Sequence, residues 1–340
     1  MIQAKTITKL DLMRKSRESQ LRKLNSILNI AKSRNAILEN VNASKVEDSE
    51  PKIRFLDLKV DLRFNIQVKV WIDCFEGSER EKDCFQCLFL LEPDIVTNGF
   101  REAAKKIDRF DAVFAHDSRI LRALPRHKVY LFEHGGTWIV PEKFQKSGSL
   151  RRKLKSKGVS FVCGGKRLTR GHRLRHEIWK RQEAIDASHR MFYISGAFGD
   201  GVPRLPGTRV LDAKPEAKFE LFDDKSVSFH VCIENVRQEN YFSEKLLDCF
   251  LTRTIPVYWG CPNIDSYFDV RGMILIGNEE GDVATDAIQK INTAISIPPE
   301  KLYLDMHSAI EENFRRAKRW INLEERMQIA IERALYVRGY

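Results

Sequence analysis

From about residue 53 the chain alternates short apolar runs with segments of helical period. "IQVKVWIDCF" from Ile66, "QCLFLLEP" from Gln86, "DAVFAHD" from Asp111 and "KVYLFEHGG" from Lys128 read as strands, and "FREAAKKIDRF" and "SRILRAL" as helices between the later ones. The rhythm resumes after residue 158: strand "VSFVCGG", helix "HRLRHEIWKRQEAI", strand "MFYIS", a glycine-rich loop to about Thr208, then strand "VSFHVCIEN". Helix "SEKLLDCFLTR", strands "TIPVYWG" and "GMILIG", and helix "DVATDAIQKINTAI" follow, and two helical segments end the chain. Alternating strand and helix implies parallel sheets covered on both faces. The predicted fold class is α/β: two Rossmann-like domains facing a cleft, with an extra N-terminal helix and C-terminal helices.

Three domains are expected. Residues 1–52 carry Leu10, Met13, Leu21, Leu24, Ile27, Leu28, Ala31 and Ile37 among Arg and Lys, a basic amphipathic helix, and then the polar linker "NVNASKVEDSEPK". This helix suits packing on the body or a partner chain, or lying on an anionic membrane. Residues 53–150 form the first Rossmann-like unit, and residues 151–340 the second with the terminal helices. The basic, Ser/Gly-containing "EKFQKSGSLRRKLKSKG" between them is a connection.

The net charge of +11 points to an anionic partner: a phosphate-bearing ligand, nucleic acid or an acidic membrane. No stretch reaches the roughly 18 apolar residues of a membrane span, and the first residues lack the apolar core of a signal peptide. Seven cysteines without paired spacing suit a reducing compartment. Cys84 and Cys87 form a lone CxxC inside a strand pattern and read as buried thiols rather than zinc ligands. A cytoplasmic location is expected, with peripheral contact with an anionic membrane as a further option. The basic runs lack the interleaved aromatics of single-strand binders, so no nucleic-acid partner is expected.

The chemistry gathers in "CIENVRQENYFSEKLLDCFLTRTIPVYWGCPNI", Cys232 to Ile264. Strand "VSFHVCIEN" delivers Glu234 and Asn235 to its carboxyl end. Ser243 stands at an N-cap position, and Glu244 and Lys245 open the next helix. Free N–H groups at a helix start attract phosphate, and Lys245 adds a full charge. Glu244 suits ribose hydroxyls, and Tyr241 offers a ring or a hydroxyl to a base or sugar. On the bland alternative Ser243 and Glu244 only cap the helix and Lys245 is solvated.

This stretch resembles the C-terminal motif of the alpha-1,3-fucosyltransferases, the tenth glycosyltransferase family, over about 35 residues. Ile233 replaces an aromatic before Glu-Asn, and Phe242-Ser243 replace Val-Thr with the hydroxyl kept. Upstream, "KGVSFVCGGKRLTRGHRLRHEIWKRQ" resembles the segment whose arginine meets the donor pyrophosphate. The alignment gives Arg175, with Arg170 and Arg173 as rivals. Arg151 to Arg181 also holds twelve Lys or Arg against one acid, Glu177, a field suited to a diphosphate. "CLFLLEPDIVTNGF" resembles the segment of the family's proposed base, giving Glu92, with Glu133 and His134 as competitors.

The resemblance implies a GT-B-like architecture and inverting, metal-independent transfer of fucose from the donor substrate GDP-fucose to a glycan acceptor. No cofactor and no metal site are implied. Glu92 would take the acceptor's proton, and Glu234 would steady the anomeric charge or orient the sugar. Arg175 and Lys245 would receive the diphosphate. Asn235, Tyr241, Ser243 and Glu244 would complete the donor site. The loop Tyr193 to Gly201 either closes over the donor or is a plain turn, and "TIPVYWGCPNI" is core. Two other readings stay open: another nucleotide sugar on the same fold, and a non-catalytic basic protein docking on nucleic acid or anionic lipid.

Overall fold

The computed structural model describes residues 56–59, 66–139, 157–196, 198–212, 214–223, 227–277 and 281–340. The expected N-terminal helix, its linker and most of the basic connection lie outside them.

The first sheet runs in chain order: β1 (Leu56–Lys59), β2 (Gln67–Ile72), β3 (Cys84–Leu90), β4 (Ala112–Ala115) and β5 (Val129–Leu131). β1 is antiparallel to β2, and the other pairs are parallel. β3, "CFQCLFL", is buried at every position, as a continuous apolar run in a two-sided sheet should be. Its one polar residue is satisfied: Gln86 Oε1 accepts from Glu81 N at 2.7 Å and Nε2 donates to Glu79 O at 3.1 Å. Cys84 and Cys87 are buried here as expected, and burial raises the Cys87 pKa. Three short helices follow strands: α1 (Asp94–Thr97), α2 (Gly99–Lys106) and α3 (Ser118–Ala123), the last capped by Asp117 accepting from Arg119 N at 2.8 Å.

The second sheet holds β6 (Gly158–Cys163), β7 (Arg190–Ser195), β8 (Arg209–Leu211), β9 (Val227–Ile233), β10 (Ile255–Trp259) and β11 (Ile274–Leu275). Its order is β11-β10-β9-β6-β7-β8, with every pair parallel. Numbered from its own first strand this is 3-2-1-4-5-6 read from the β8 edge, the doubly wound Rossmann order. Helices α4 (Arg170–Lys180), α5 (Pro215–Asp223), α6 (Glu244–Leu251), α7 (Val283–Ser296) and α8 (Pro299–Ala317) flank it, and α9 (Leu323–Val337) ends the chain. The two-sheet α/β class is as expected. β1, β8, α1 and α5 escaped the sequence pattern. They are three to nine residues long, β8 is mostly exposed, and so none shows a clear period.

One boundary differs. Both terminal helices were expected with residues 151–340, yet α9 packs on the first sheet. Met327, Ile331, Ala334 and Leu335 share a core with Val68, Val70, Phe85, Phe89, Phe114 and Phe132. The reason is topological. α2 and α3 lie with Trp71, Leu88 and Val113 on the opposite face, and the β2–β3 connection contains no helix. The remaining apolar face needs a cover from elsewhere. Arg338 donating to Asp111 O at 2.6 Å, and Tyr340 edge-on to Phe85 at 5.7 Å, complete the docking.

Candidate active site

In a doubly wound sheet the ligand crevice lies at the carboxyl ends of strands where the order reverses. Here that point is between β6 and β9. α4 starts there behind a capping box: Thr169 Oγ1 accepts from His172 N, and His172 Nδ1 accepts from Thr169 N, both at 3.2 Å. Gly171 lets the helix touch the end of β9. Its N donates to Asn235 O at 3.0 Å, and a Cβ would overlap the carbonyl oxygen of Glu234. One turn later Arg175 Nη2 donates to Asn235 Oδ1 at 2.6 Å and Nε to Gly171 O at 3.3 Å. Burial lowers the Arg175 pKa against the pull of Cys163, Glu234, Tyr241 and Glu244. Of the two rivals, Arg173 is exposed and Arg170 lies 6.0 Å over the Trp259 ring. Beyond β7, Gly201 O accepts from Arg167 at 3.0 Å and Lys166 lies over the Phe198 ring, so the glycine loop sits against the β6–α4 turn.

Glu234 is wholly buried. Ser243 N donates to its Oε1 at 2.8 Å and Ser243 Oγ to its Oε2 at 2.7 Å. The expected contact with the sugar is therefore not what its geometry provides. Glu234 anchors the start of α6, and Gly260 is required beside it because a Cβ there would press on its Cγ. Ser243 caps α6 as predicted, accepting from Lys245 N at 3.4 Å, and its Oγ also accepts from Lys245 Nζ at 3.1 Å. Lys245 Nζ lies 3.1 Å from Glu244 Oε1 and 3.9 Å from Glu234 Oε2. Burial works against its charge, but Glu244, Glu234 and Glu92 outweigh it and raise its pKa. Tyr241 is buried too, its ring 5.0 Å from that of His116 and 6.0 Å from that of His134. It faces the first sheet rather than open solvent.

From that sheet comes Glu92, just past β3. Its backbone is held by Asp73, whose carboxylate accepts from Leu91 N at 2.9 Å and Glu92 N at 3.2 Å. Asp73 itself sits in the left-handed region at φ 50°, and burial with the neighbouring Glu92 charge raises its pKa well above the usual range. Glu92 is half-buried, and its charge is felt at both Tyr241 and Lys245. The competitors are engaged elsewhere. Arg326 Nη2 lies 3.4 Å from Glu133 Oε2 and donates to Glu133 O at 2.9 Å, and His134 Nδ1 bonds Leu91 O at 2.9 Å.

The seam between the sheets is tied beside α6. Gly135 N donates to Phe242 O at 3.0 Å, at φ 55° and with Trp320 where a Cβ would go. The buried carboxylate of Asp248 accepts from Trp138 N, Ile139 N and Lys218 Nζ. Sequence reasoning missed Asp73, His116, Asn240 and Asp248. Each sits in a strand-end, turn or helix context that carries no signal of its own, and only folding shows what it meets. Among the described residues no cluster of His, Cys, Asp or Glu is placed to hold a metal ion, and no helix is long and apolar enough to cross a membrane.

No protein-family model matches the chain. A curated protein, the alpha-(1,3)-fucosyltransferase FucT of Helicobacter pylori, is 32% identical over 79 residues, which is 23% of this chain and 16% of that protein. The match thus spans about a sixth of the relative's length. Among solved structures, an alpha1,3-fucosyltransferase with GDP-fucose aligns over 75% of this chain and 76% of its own at 15% identity and TM-score 0.44. The alpha,alpha-trehalose 6-phosphate synthase of Burkholderia multivorans aligns over 74% and 66% at 10% identity and TM-score 0.47. An alpha-glucosyltransferase in complex with UDP and DNA aligns over 74% and 72% at 12% identity and TM-score 0.48. The resemblance of this chain to the alpha-1,3-fucosyltransferases is therefore carried by a curated member of that family.

Proposed function

We propose that this protein is an inverting, metal-independent glycosyltransferase that moves fucose from GDP-fucose to a hydroxyl of a glycan acceptor. The observation that carries this reading is the meeting of two charge sets across the seam: Glu92 from the first sheet, and Arg175, Glu244 and Lys245 around the switch point of the second. The diphosphate leaves toward Arg175, Lys245 and the first N–H groups of α6, which meet the growing negative charge. Glu244, on the same helix turn, accepts from the ribose hydroxyls. Glu92 takes the proton of the attacking hydroxyl, and the anomeric carbon passes through an oxocarbenium-like state. Glu234 and Ser243 act one layer back, holding Lys245 and the start of α6 in place.

Calorimetry tests the reading. The full chain should bind GDP with micromolar affinity in the presence of chelator, and Lys245→Ala should weaken it at least tenfold. GDP-fucose should bind in preference to UDP-sugars; the reverse preference would move the assignment to another nucleotide sugar. A folded chain that binds no nucleotide would return the protein to the class of basic binders.

A further inference from the structure

In the function proposed above Glu92 takes a proton, yet no side chain holds its carboxylate: among the described residues none donates a hydrogen bond to it. Where that carboxylate stands is therefore decided by its main chain, and the main chain is held from three directions. Asp73, the first residue beyond β2, takes the N–H groups. Its Oδ1 accepts from Leu91 N at 2.9 Å, and both its oxygens lie 3.2 Å from Glu92 N. His134, beyond β5, takes the carbonyl before Glu92, with Nδ1 2.9 Å from Leu91 O. Pro93 comes next, and a residue that precedes proline is confined to extended conformations.

The local backbone of Asp73 serves this contact. Ile72 is the last residue of β2 to pair with β3, opposite Phe89, and Asp73 N donates to Phe89 O at 2.9 Å. The chain then turns through the left-handed region at φ 50°, which most side chains enter only at a cost and Asp, Asn and Gly enter most readily. The turn carries the carboxylate across the end of β3 to the two amides just past it. A carboxylate is a stronger acceptor of N–H groups than a neutral oxygen. It is also close enough to Glu92 for that charge to be felt at Asp73. The donor groups Arg175 and Lys245 stand on α4 and α6 of the second sheet, so nucleotide binding does not depend on this clamp.

We propose that Asp73 is the positioning residue of the proton acceptor: by fixing the Leu91 and Glu92 amides it sets the Glu92 carboxylate where the attacking hydroxyl meets it. This rests on the glycosyltransferase reading with Glu92 as its base. The test measures GDP-fucose hydrolysis by the full chain. Water attacks the anomeric carbon, its proton passes to Glu92, and the bond to the diphosphate breaks with its electron pair leaving on GDP. Asp73→Gly removes the carboxylate and is at ease at positive φ. Asp73→Asn keeps the turn and the Oδ1 acceptor, the position that reaches both amides. The Gly variant should lose roughly tenfold to a hundredfold in kcat, the effect of a displaced reacting group, with the Kd for GDP within about twofold in calorimetry. The Asn variant, with an acceptor still in place, should stay within about threefold of wild-type kcat. In a Glu92→Gln background Asp73→Gly should cost less than about twofold, because residues that act as a unit are not additive.

A Gly variant with wild-type kcat would overturn the proposal. So would an equal loss in the Glu92→Gln background, which would make Asp73 a general support of the fold. An Asn variant as slow as the Gly variant would assign the effect to charge rather than to the clamp, and overturns it too. If the Gly variant does not fold, Asp73→Glu decides. Its longer arm keeps the charge and the acceptors but moves the two amides, so it must be slow alone and without further effect beside Glu92→Gln; full activity alone refutes the assignment. Wild type that binds no GDP, or does not turn over GDP-fucose, removes the underlying function and this proposal together. Glu92→Gln with full kcat removes the assigned base and the proposal with it. A slow Glu92→Gln beside a normal Asp73→Gly removes only this proposal.

Discussion

Ser243 shows how much one hydroxyl can organise. It donates to Glu234, accepts from the Lys245 ammonium and caps the α6 backbone. A residue read from the sequence as a helix cap is therefore also the joint between a buried carboxylate and the Lys245 ammonium. Glu92 differs in kind, since its backbone is pinned by Asp73 while its charge is felt at Lys245. Replacing it by Gln keeps size and polarity but removes the proton acceptor of the proposed mechanism. Glu92→Gln should lower kcat by about 10²–10⁴-fold, the usual worth of a general base, with GDP affinity within twofold in calorimetry. A comparable loss in Glu133→Gln with Glu92→Gln left active would transfer the role to Glu133. That Glu133 is bound to Arg326 of α9 could not be read from a list of acids, because the two lie nearly two hundred positions apart.

At the scale of elements, the decisive contact is α4 against the end of β9. Gly171 permits it, and Arg175 projects from the next turn onto Asn235. Gly171→Ala must push the helix away from Glu234 O and carry Arg175 with it. GDP binding should weaken at least tenfold while Lys245, on another helix, stays in place. A variant with unchanged GDP affinity in the same calorimetric assay would show that Arg175 does not meet the diphosphate. The periods of α4, β9 and α6 were legible because each has a capping residue or a dense apolar run. β8 was not, because three mostly exposed residues gain their strand conformation only from pairing with β7.

At the scale of the molecule, folding sets the charge state of groups far from the cleft. His230 in β9 is buried, accepts or shares a hydrogen bond with Ser160 Oγ at 2.7 Å, and packs on Phe222. Burial, helped by Lys218, pushes its pKa down to about 3. The unfolded chain protonates a histidine near pH 6.5, so its stabilising effect is complete above that pH. It is lost as pH falls from about 6.5 toward 3. The contribution changes by up to about 1.4 kcal/mol per pH unit within that window. Denaturant unfolding at pH 7, 6 and 5 should show His230→Gln with a shallower decline than wild type. An identical slope would mean that His230 takes up its proton in the folded chain. Asp73 and Asp248 work in the opposite sense, since burial raises both and favours their protonated forms as pH drops, so the comparison with the variant isolates the histidine.

The strands, most helices, the two-sheet α/β class and the capped helix start at Ser243 were all written in local pattern: alternating periods, caps, and a dense run of Glu, Asn, Ser and Lys between strand and helix. Those features depend on residues within a few positions of one another, and a linear reading captures them. Three things depended on distant parts of the chain. The last helix joined the first sheet because that sheet had an apolar face and no local helix to cover it. Glu234 turned inward because Ser243 offered it two donors nine positions later. Glu92, His116, His134 and Tyr241 came together because the seam between two separately wound sheets closes at their strand ends, and no spacing along the chain encodes a meeting made by packing.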